Sequence, residues 1–264
     1  MELFDTHSHY NDEKFDEDRE HIIKDTYESG ITKFVCAGYN IESSKKAIQM
    51  SKKYEFIYSI CGISPNDIPQ SEQELWKDID EITKIIKENK YNKLVAIGEI
   101  GLDYYWNKDN KELQKEAFVK QINLANELDL PIVIHSRDAS VDTINIIREH
   151  PVKKAGIFHC CQFNQEMIKQ ALELGYYISF AGPVTFKNSK NASEIVKMVP
   201  LERILIETDS PYLAPEPNRG KRNDSRNVIY IAQKIADFRG IPVDRIAEIT
   251  YSNALKIFTI GDTH

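Results

Sequence analysis

A chain of 264 residues, 41% of them hydrophobic, can bury a sizeable core without disulfides or structural metals, so a bound ion is expected to do chemistry rather than hold the fold. The formal charge of −7 argues against a protein that coats duplex DNA non-specifically, but allows an enzyme that grips a few phosphates through a local basic patch. Cys36, Cys61, Cys160 and Cys161 form no CxxC pair, which argues against a zinc ribbon or thioredoxin motif and fits free thiols in a reducing cytosol. The opening MELFDTHSHY lacks the basic segment and apolar run of a secretory signal, and no apolar stretch is long enough to cross a bilayer, so a cytoplasmic protein without membrane contact is expected.

Short apolar runs alternate with amphipathic segments from end to end. Leu3 to Thr6 reads as a first strand, and Asp16 to Ser29 as a helix ending at Gly30, a residue suited to the left-handed position after a helix. Lys33 to Ala37 and Phe56 to Cys61 read as the next two strands. In Asp78 to Glu88, Ile79, Ile82, Ile85 and Ile86 recur at helical spacing on one face. Leu94 to Ile97 is a fourth strand, followed by a helix over Glu112 to Leu128 that stops before Pro131. Pro131 to Ile134, Ala155 to Phe158, Tyr176 to Phe180 and Ile204 to Ile206 complete eight strands, with helical segments after the fifth to seventh. Arg226 to Arg239 and Val243 to Phe258 read as two closing helices. Strands apolar on both faces, regularly separated by helices, imply a parallel sheet, closed or open, within one domain over 1–264.

Acids and histidines fall at the strand ends. His7 and His9 close the first strand as H-x-H, a spacing that puts both side chains on one face. Glu99 follows the fourth strand in IGEIGLD, His135 the fifth in IVIHSRD, His159 the sixth in GIFHCC and Asp209 the eighth in LIETDSP. In a barrel these C-terminal strand ends form the face on which active sites are built. Each residue has a duller reading alone, as a hydrogen-bonded histidine or a turn cap, but coincidence at six strand ends is the weaker explanation. Buried charge needs a partner, and six nitrogen and oxygen ligands suit a pair of divalent ions. Glu99 is expected to bridge them, with His7, His9 and Asp209 around one ion and His135 and His159 around the other. His21, His150 and His264 read as structural or solvated.

Local basicity gives a second signal. Lys187 and Lys190 follow the seventh strand, and Arg219, Lys221 and Arg222 follow the eighth, where such barrels usually hold phosphate. Arg137, beside His135, could fork onto a phosphate. Tyr104, Tyr105 and Trp106 could stack on a base or pack in the core, and Asp103 could support a metal ligand or simply turn the chain.

The stretches FDTHSH, AIGEIGLDYY, PIVIHSRDA, GIFHC, GYYISFAGPVTFKN and LIETDSPYLAP with its RGKRN continuation resemble the TatD family, in the family's order and over nearly the whole chain. The resemblance implies a TIM (β/α)₈ barrel of the metal-dependent hydrolase type. It also implies two divalent ions (Mg, Mn or Zn) and deoxyribonuclease activity that removes nucleotides from DNA ends in the 3′–5′ direction. By motif it makes His7, His9, Glu99, His135, His159 and Asp209 the metal ligands. For metal-assisted hydrolysis at such a site, Asp209 is expected as general base and Glu99 as the other catalytic carboxylate. Single-stranded DNA or DNA ends are the expected substrate, contacted by Arg137, Arg219, Lys221, Arg222 and Ser64. Two positions depart from the family: Ser64 stands in GISP where the family has histidine, and HCCQFNQ replaces the usual loop after the sixth strand. The same site could instead cleave a lactone, an amide or an aminoacyl-tRNA ester, or belong to a binding protein with a decayed site.

Overall fold

The computed structural model describes residues 1–90 and 93–261. Eight strands run in chain order around one sheet: β1 (Leu3–Ser8), β2 (Ile31–Ala37), β3 (Ile57–Cys61), β4 (Leu94–Asp103), β5 (Ile132–Arg137), β6 (Gly156–Phe158), β7 (Tyr177–Phe180) and β8 (Ile204–Ile206). Neighbours pair in parallel. The ring closes between β8 and β1 through a parallel bridge from Ser8 to Ser210. There the Asp209 N–H donates to the His7 carbonyl at 2.9 Å, and the His9 N–H to the Ser210 carbonyl at 2.7 Å. The sheet is therefore a (β/α)₈ barrel, and its seam falls at three of the six predicted ligands.

Nine helices connect the strands among the described residues: α1 (Arg19–Glu28), α2 (Ile41–Lys53), α3 (Glu72–Asn89), α4 (Lys111–Leu128), α5 (Ser140–Glu149), α6 (Gln165–Glu173), α7 (Ala192–Met198), α8 (Val228–Arg239) and α9 (Val243–Ile257). Alternate strand residues divide the core, as a period of two requires. Val35, Ile60, Val133 and Leu205 fill the barrel interior, while Phe34, Ile57, Ile132 and Ile204 face the helices. On α3, Ile79, Ile82 and Ile86 are buried and Ile85 is half-buried, so the predicted stripe is the packed one. Burying each such isoleucine contributes about 1.5–3 kcal/mol.

Several boundaries differ from the sequence reading, and three of the differences have a visible cause. α1 begins at Arg19, because residues 16–18 form a turn that follows a 3₁₀ turn over Glu13–Phe15 capped by Asp12; beyond the helix, Gly30 adopts φ 100°. α2, which the sequence reading did not delimit, is held at its start by a reciprocal Asn40–Ser43 capping box. β4 runs on to Asp103, since Gly101, Leu102 and Asp103 pair with His135, Ser136 and Arg137 of β5. Glu99 thus lies within a strand rather than after one.

Candidate metal centre

His7 lies on β1, Glu99 on β4 and His135 on β5, while His9 and His159 immediately follow β1 and β6 and Asp209 lies three residues past the end of β8. The barrel brings all six to its C-terminal mouth. Glu99 stands at the centre. Its Oε2 lies 3.3 Å from His7 Nε2 and 3.9 Å from His9 Nε2, and its Oε1 lies 2.9 Å from His135 Nδ1 and 3.5 Å from His159 Nε2. His9 Nε2 is 3.2 Å from both His7 Nε2 and Asp209 Oδ1, and His135 Nδ1 is 3.2 Å from His159 Nε2. Gly101 (φ 137°) makes this convergence sterically feasible, because a Cβ there would sit 2.0 Å from the His135 carbonyl oxygen.

The ring nitrogens facing away show which atoms are free to coordinate. A carbonyl can only accept, so His9 Nδ1 carries its proton toward Ala37 O at 3.1 Å and Nε2 turns a lone pair inward. Asp103 Oδ2 accepts from His135 Nε2 at 2.9 Å, leaving His135 Nδ1 to face the centre. Glu207 Oε1 stands 3.3 Å behind His159 Nδ1. Such outer partners orient metal-binding imidazoles and raise their basicity.

This donor set fits divalent cations. Ligand atoms bonded at 2.0–2.1 Å around a tetrahedral ion lie about 3.3 Å apart, close to the spacings above. His7, His9 and Asp209 form one cluster able to hold an ion, and His7, Glu99 and His159 a second. The electrostatics agree: burial pushes Glu99 up, but the charge of His159 and hydrogen bonds from His135, His159 and His7 pull it well below the usual carboxylate range. Burial also pushes Asp209 up, and His9 with His159 and His7 outweighs it, so Asp209 is held ionised. Both carboxylates are thus held ionised beside the imidazoles, the state in which they can bind a cation.

A cavity of about 520 Å³ opens above these groups, within the range of roughly 300–1,000 Å³ usual for small-ligand sites. A larger recess at the opposite end of the barrel, bounded by Thr32, Phe56, Leu94 and Pro131, contains no histidine among its described lining residues. Arg137 and Ser64 line the wall of the mouth cavity, and Ser64 also caps the 3₁₀ turn over Pro65–Asp67.

Arg219, Lys221 and Arg222 do not line it. Arg222 forms a two-pronged ion pair with Asp18, at 2.6 and 2.9 Å, and donates to the Lys14 carbonyl. Arg219 lies over the Phe186 ring near Glu216, and Lys221 is exposed beside Asn218. Lys187 and Lys190 are exposed outside the cavity. Tyr105 and Trp106 are exposed rather than packed in the core, and Tyr104 is half-buried with its hydroxyl donating to Asp142. Asp103 Oδ2 accepts from His135 Nε2, and Oδ1 accepts from the backbone N–H groups of Tyr105 and Trp106.

Of the remaining histidines, His21 is exposed beside Asp25 and His150 caps the C-terminus of α5, while His264 lies outside the described residues. The sequence reading missed Glu207, Asp67, Tyr39 and Asp5. Glu207 had a visible signal, two residues before Asp209 at the same strand end. Asp5 is buried and accepts hydrogen bonds from Thr208 and Ser225, tying β1 to the segments after β8; burial pushes it up to about 7 against those bonds.

A (β/α)₈ barrel with clustered histidines and carboxylates at its C-terminal mouth defines a metal-dependent hydrolase. Comparison with known proteins agrees. The TatD related DNase family matches residues 4–259, and the chain belongs to the TatD family. It is 42% identical over 263 residues to the uncharacterized metal-dependent hydrolase YabD of Bacillus subtilis, covering 98% of this chain and 100% of that protein. It is 33% identical over 264 residues to human deoxyribonuclease TATDN3, covering 97% and 94%. The crystal structure of YJJV, a TatD homologue from Escherichia coli, superposes with a TM-score of 0.91 over 98% of each chain at 22% identity, a likeness of fold.

Proposed function

We propose that this protein hydrolyses phosphodiester bonds at the ends of DNA strands, aided by two divalent ions that His7, His9, Glu99, His135, His159 and Asp209 would hold. The observation that carries this reading is the division of Glu99, whose Oε2 faces His7 and His9 while Oε1 faces His135 and His159. Asp209 completes the first set through His9. Bound ions of this kind acidify water and offset charge on phosphate oxygens. Six mixed imidazole and carboxylate ligands suit Zn²⁺ or Mn²⁺, and accept Mg²⁺ less readily.

The chain's own residues have separable tasks. Asp209, held ionised in the folded protein, accepts the proton of the attacking water at its carboxylate. Arg137, the only lysine or arginine among the described lining residues, donates to a phosphate oxygen. Asp103 and Ala37 O hold His135 and His9 in the tautomers that keep lone pairs inward. The kinship with a protein named as a deoxyribonuclease supports DNA as substrate. The four free cysteines suit the cytoplasm, and among the described residues no helix is long and apolar enough to cross a membrane.

The test is digestion of end-labelled single-stranded DNA with Mg²⁺, Mn²⁺ or Zn²⁺, alongside an aminoacyl-tRNA and a lactone. Shortening of DNA from one end, lost by at least about a hundredfold in Asp209→Asn, is expected. Turnover of the lactone or the aminoacyl ester alone would move the reading to another ester.

A further inference from the structure

The recess at the far end of the barrel takes no part in the chemistry proposed above. It measures about 990 Å³, at the upper end of the range usual for small-ligand sites. Thr32 and Lys33 of β2 and Leu94 and Val95 of β4 bring the strand starts to it, opposite the metal centre. Its lining joins two kinds of group that act together on one class of ligand, free cations and an uncovered aromatic ring.

Lys33, Lys90, Lys93 and Lys154 line the recess against only Glu55 and Asp129, on a chain of charge −7. Asp129 is taken by Lys154 at 3.1 Å. Lys33 and Lys93 make no ion pair among the described residues: Lys33 lies 5.7 Å from the Tyr251 ring centre, and Lys93 donates to the Tyr54 carbonyl at 2.5 Å. Burial pushes the Lys93 ammonium below its ordinary range, against the pull of Glu55. The two lysines flank β3. Phe34, next to Lys33, pairs with Ile57, and the Lys93 carbonyl accepts from the Ser59 N–H at 2.9 Å. They are thus two strand spacings apart, about 10 Å, a gap that two lysine side chains can close on one anion. Tyr27 stacks on Phe56 at 4.2 Å and 24°, yet 46% of Tyr27 stays exposed, which suits a further flat ring.

We propose that this recess is a second ligand site, separate from the metal centre, that binds a nucleoside monophosphate with its phosphate on Lys33 and Lys93 and its base against Tyr27. The proposal goes beyond the nuclease reading and does not rest on it. Ammonium groups hold phosphate as point charges, and every base offers a face for stacking. Ring and phosphate together therefore define the ligand, with little preference among bases.

The experiment titrates the metal-loaded protein calorimetrically with adenosine 5′-monophosphate, adenosine and inorganic phosphate in about 100 mM salt. The nucleotide is expected to bind with Kd below about 1 mM, and each fragment at least about tenfold more weakly. Variants separate this event from any binding at the mouth. Lys33→Gln/Lys93→Asn should weaken it about tenfold or more, and asparagine tolerates the φ of 56° at position 93. Tyr27→Ala should weaken it about fivefold, and Arg137→Gln, at the other end of the barrel, should leave it within about twofold. In the native protein, where no variant can misfold, the nucleotide should slow acetylation of Lys33 and Lys93 as read by mass spectrometry. Phosphate alone binding as tightly as the nucleotide would overturn the proposal, because the ring wall would then be idle. Binding lost in Arg137→Gln but kept in the lysine variant, or bound nucleotide that leaves Lys33 and Lys93 unprotected, would place the ligand elsewhere and overturn it too.

Discussion

Asp103 shows how one side chain can set the chemistry of another. Its Oδ2 fixes the proton of His135 on Nε2, while Oδ1 holds the Tyr105 and Trp106 amides and so aims the aromatic rim. Burial pushes its carboxyl up, but His135 and the Trp106 and Tyr105 amides keep it below the ordinary range, so it stays an acceptor. In Asp103→Asn the amide can still accept, but it no longer favours a strongly basic imidazole. Metal affinity is expected to fall about 10- to 100-fold, measured by competition with a chelating dye. Unchanged affinity would mean that His135 does not depend on this contact. The sequence left Asp103 between metal support and turn, because side-chain oxygens that point opposite ways look identical in one dimension. The six candidate ligands were legible, since each lies next to an apolar run that can only be a buried strand. Glu207 carried a signal in its place two residues before Asp209 in ETD, but only the fold shows that it points behind His159.

At the scale of elements, the loop after β8 is where sequence and structure part. Its three cations suggested a phosphate site, yet Arg222 meets Asp18, which is 204 residues away in sequence and precedes α1. Pattern reading detects the charge of a loop but not the partner that captures it. The contact instead ties the β8 loop to the β1 segment, and Asp18 is held below the usual carboxylate range first by its hydrogen bond to Arg222. Both side chains are about one-third exposed, so solvent screens the pair and its worth is at most about 1 kcal/mol. Arg222→Ala should therefore lower stability by no more than about that amount at neutral pH and leave KM for DNA unchanged. A depressed carboxylate contributes above its unfolded pKa and loses the contribution as pH falls through its folded value. The difference between variant and native protein should thus vanish in acid, as urea titrations at several pH values can show. A large rise in KM would return this loop to the substrate site.

For the whole molecule, the candidate metal centre joins β1, β4 and β5 to the residues just beyond β6 and β8, and spans the seam where the barrel closes. Two packed cores, one inside the sheet and one under the helices, can hold the fold without ions. Metal is then expected to add stability by mass action, without creating the structure. An ion present at a hundred times its dissociation constant contributes about 2.7 kcal/mol. For a chain of this size each kcal/mol moves Tm by about 2–4 °C, so chelation should lower Tm by roughly 5–10 °C while far-UV circular dichroism at 25 °C stays native. The same linkage fixes the sign with pH. Imidazoles must lose protons to bind metal, so the metal-dependent part of Tm should shrink as pH falls below neutrality. His135→Ala, which removes a group within 3 Å of Glu99 Oε1, should show a smaller shift than native protein with the fold retained. If chelation unfolds the chain outright, the ions are part of the scaffold and the cores alone are insufficient. If Tm does not move with metal at any pH, the inward lone pairs bind nothing, and the clustering of histidines at the mouth must be explained without a cation.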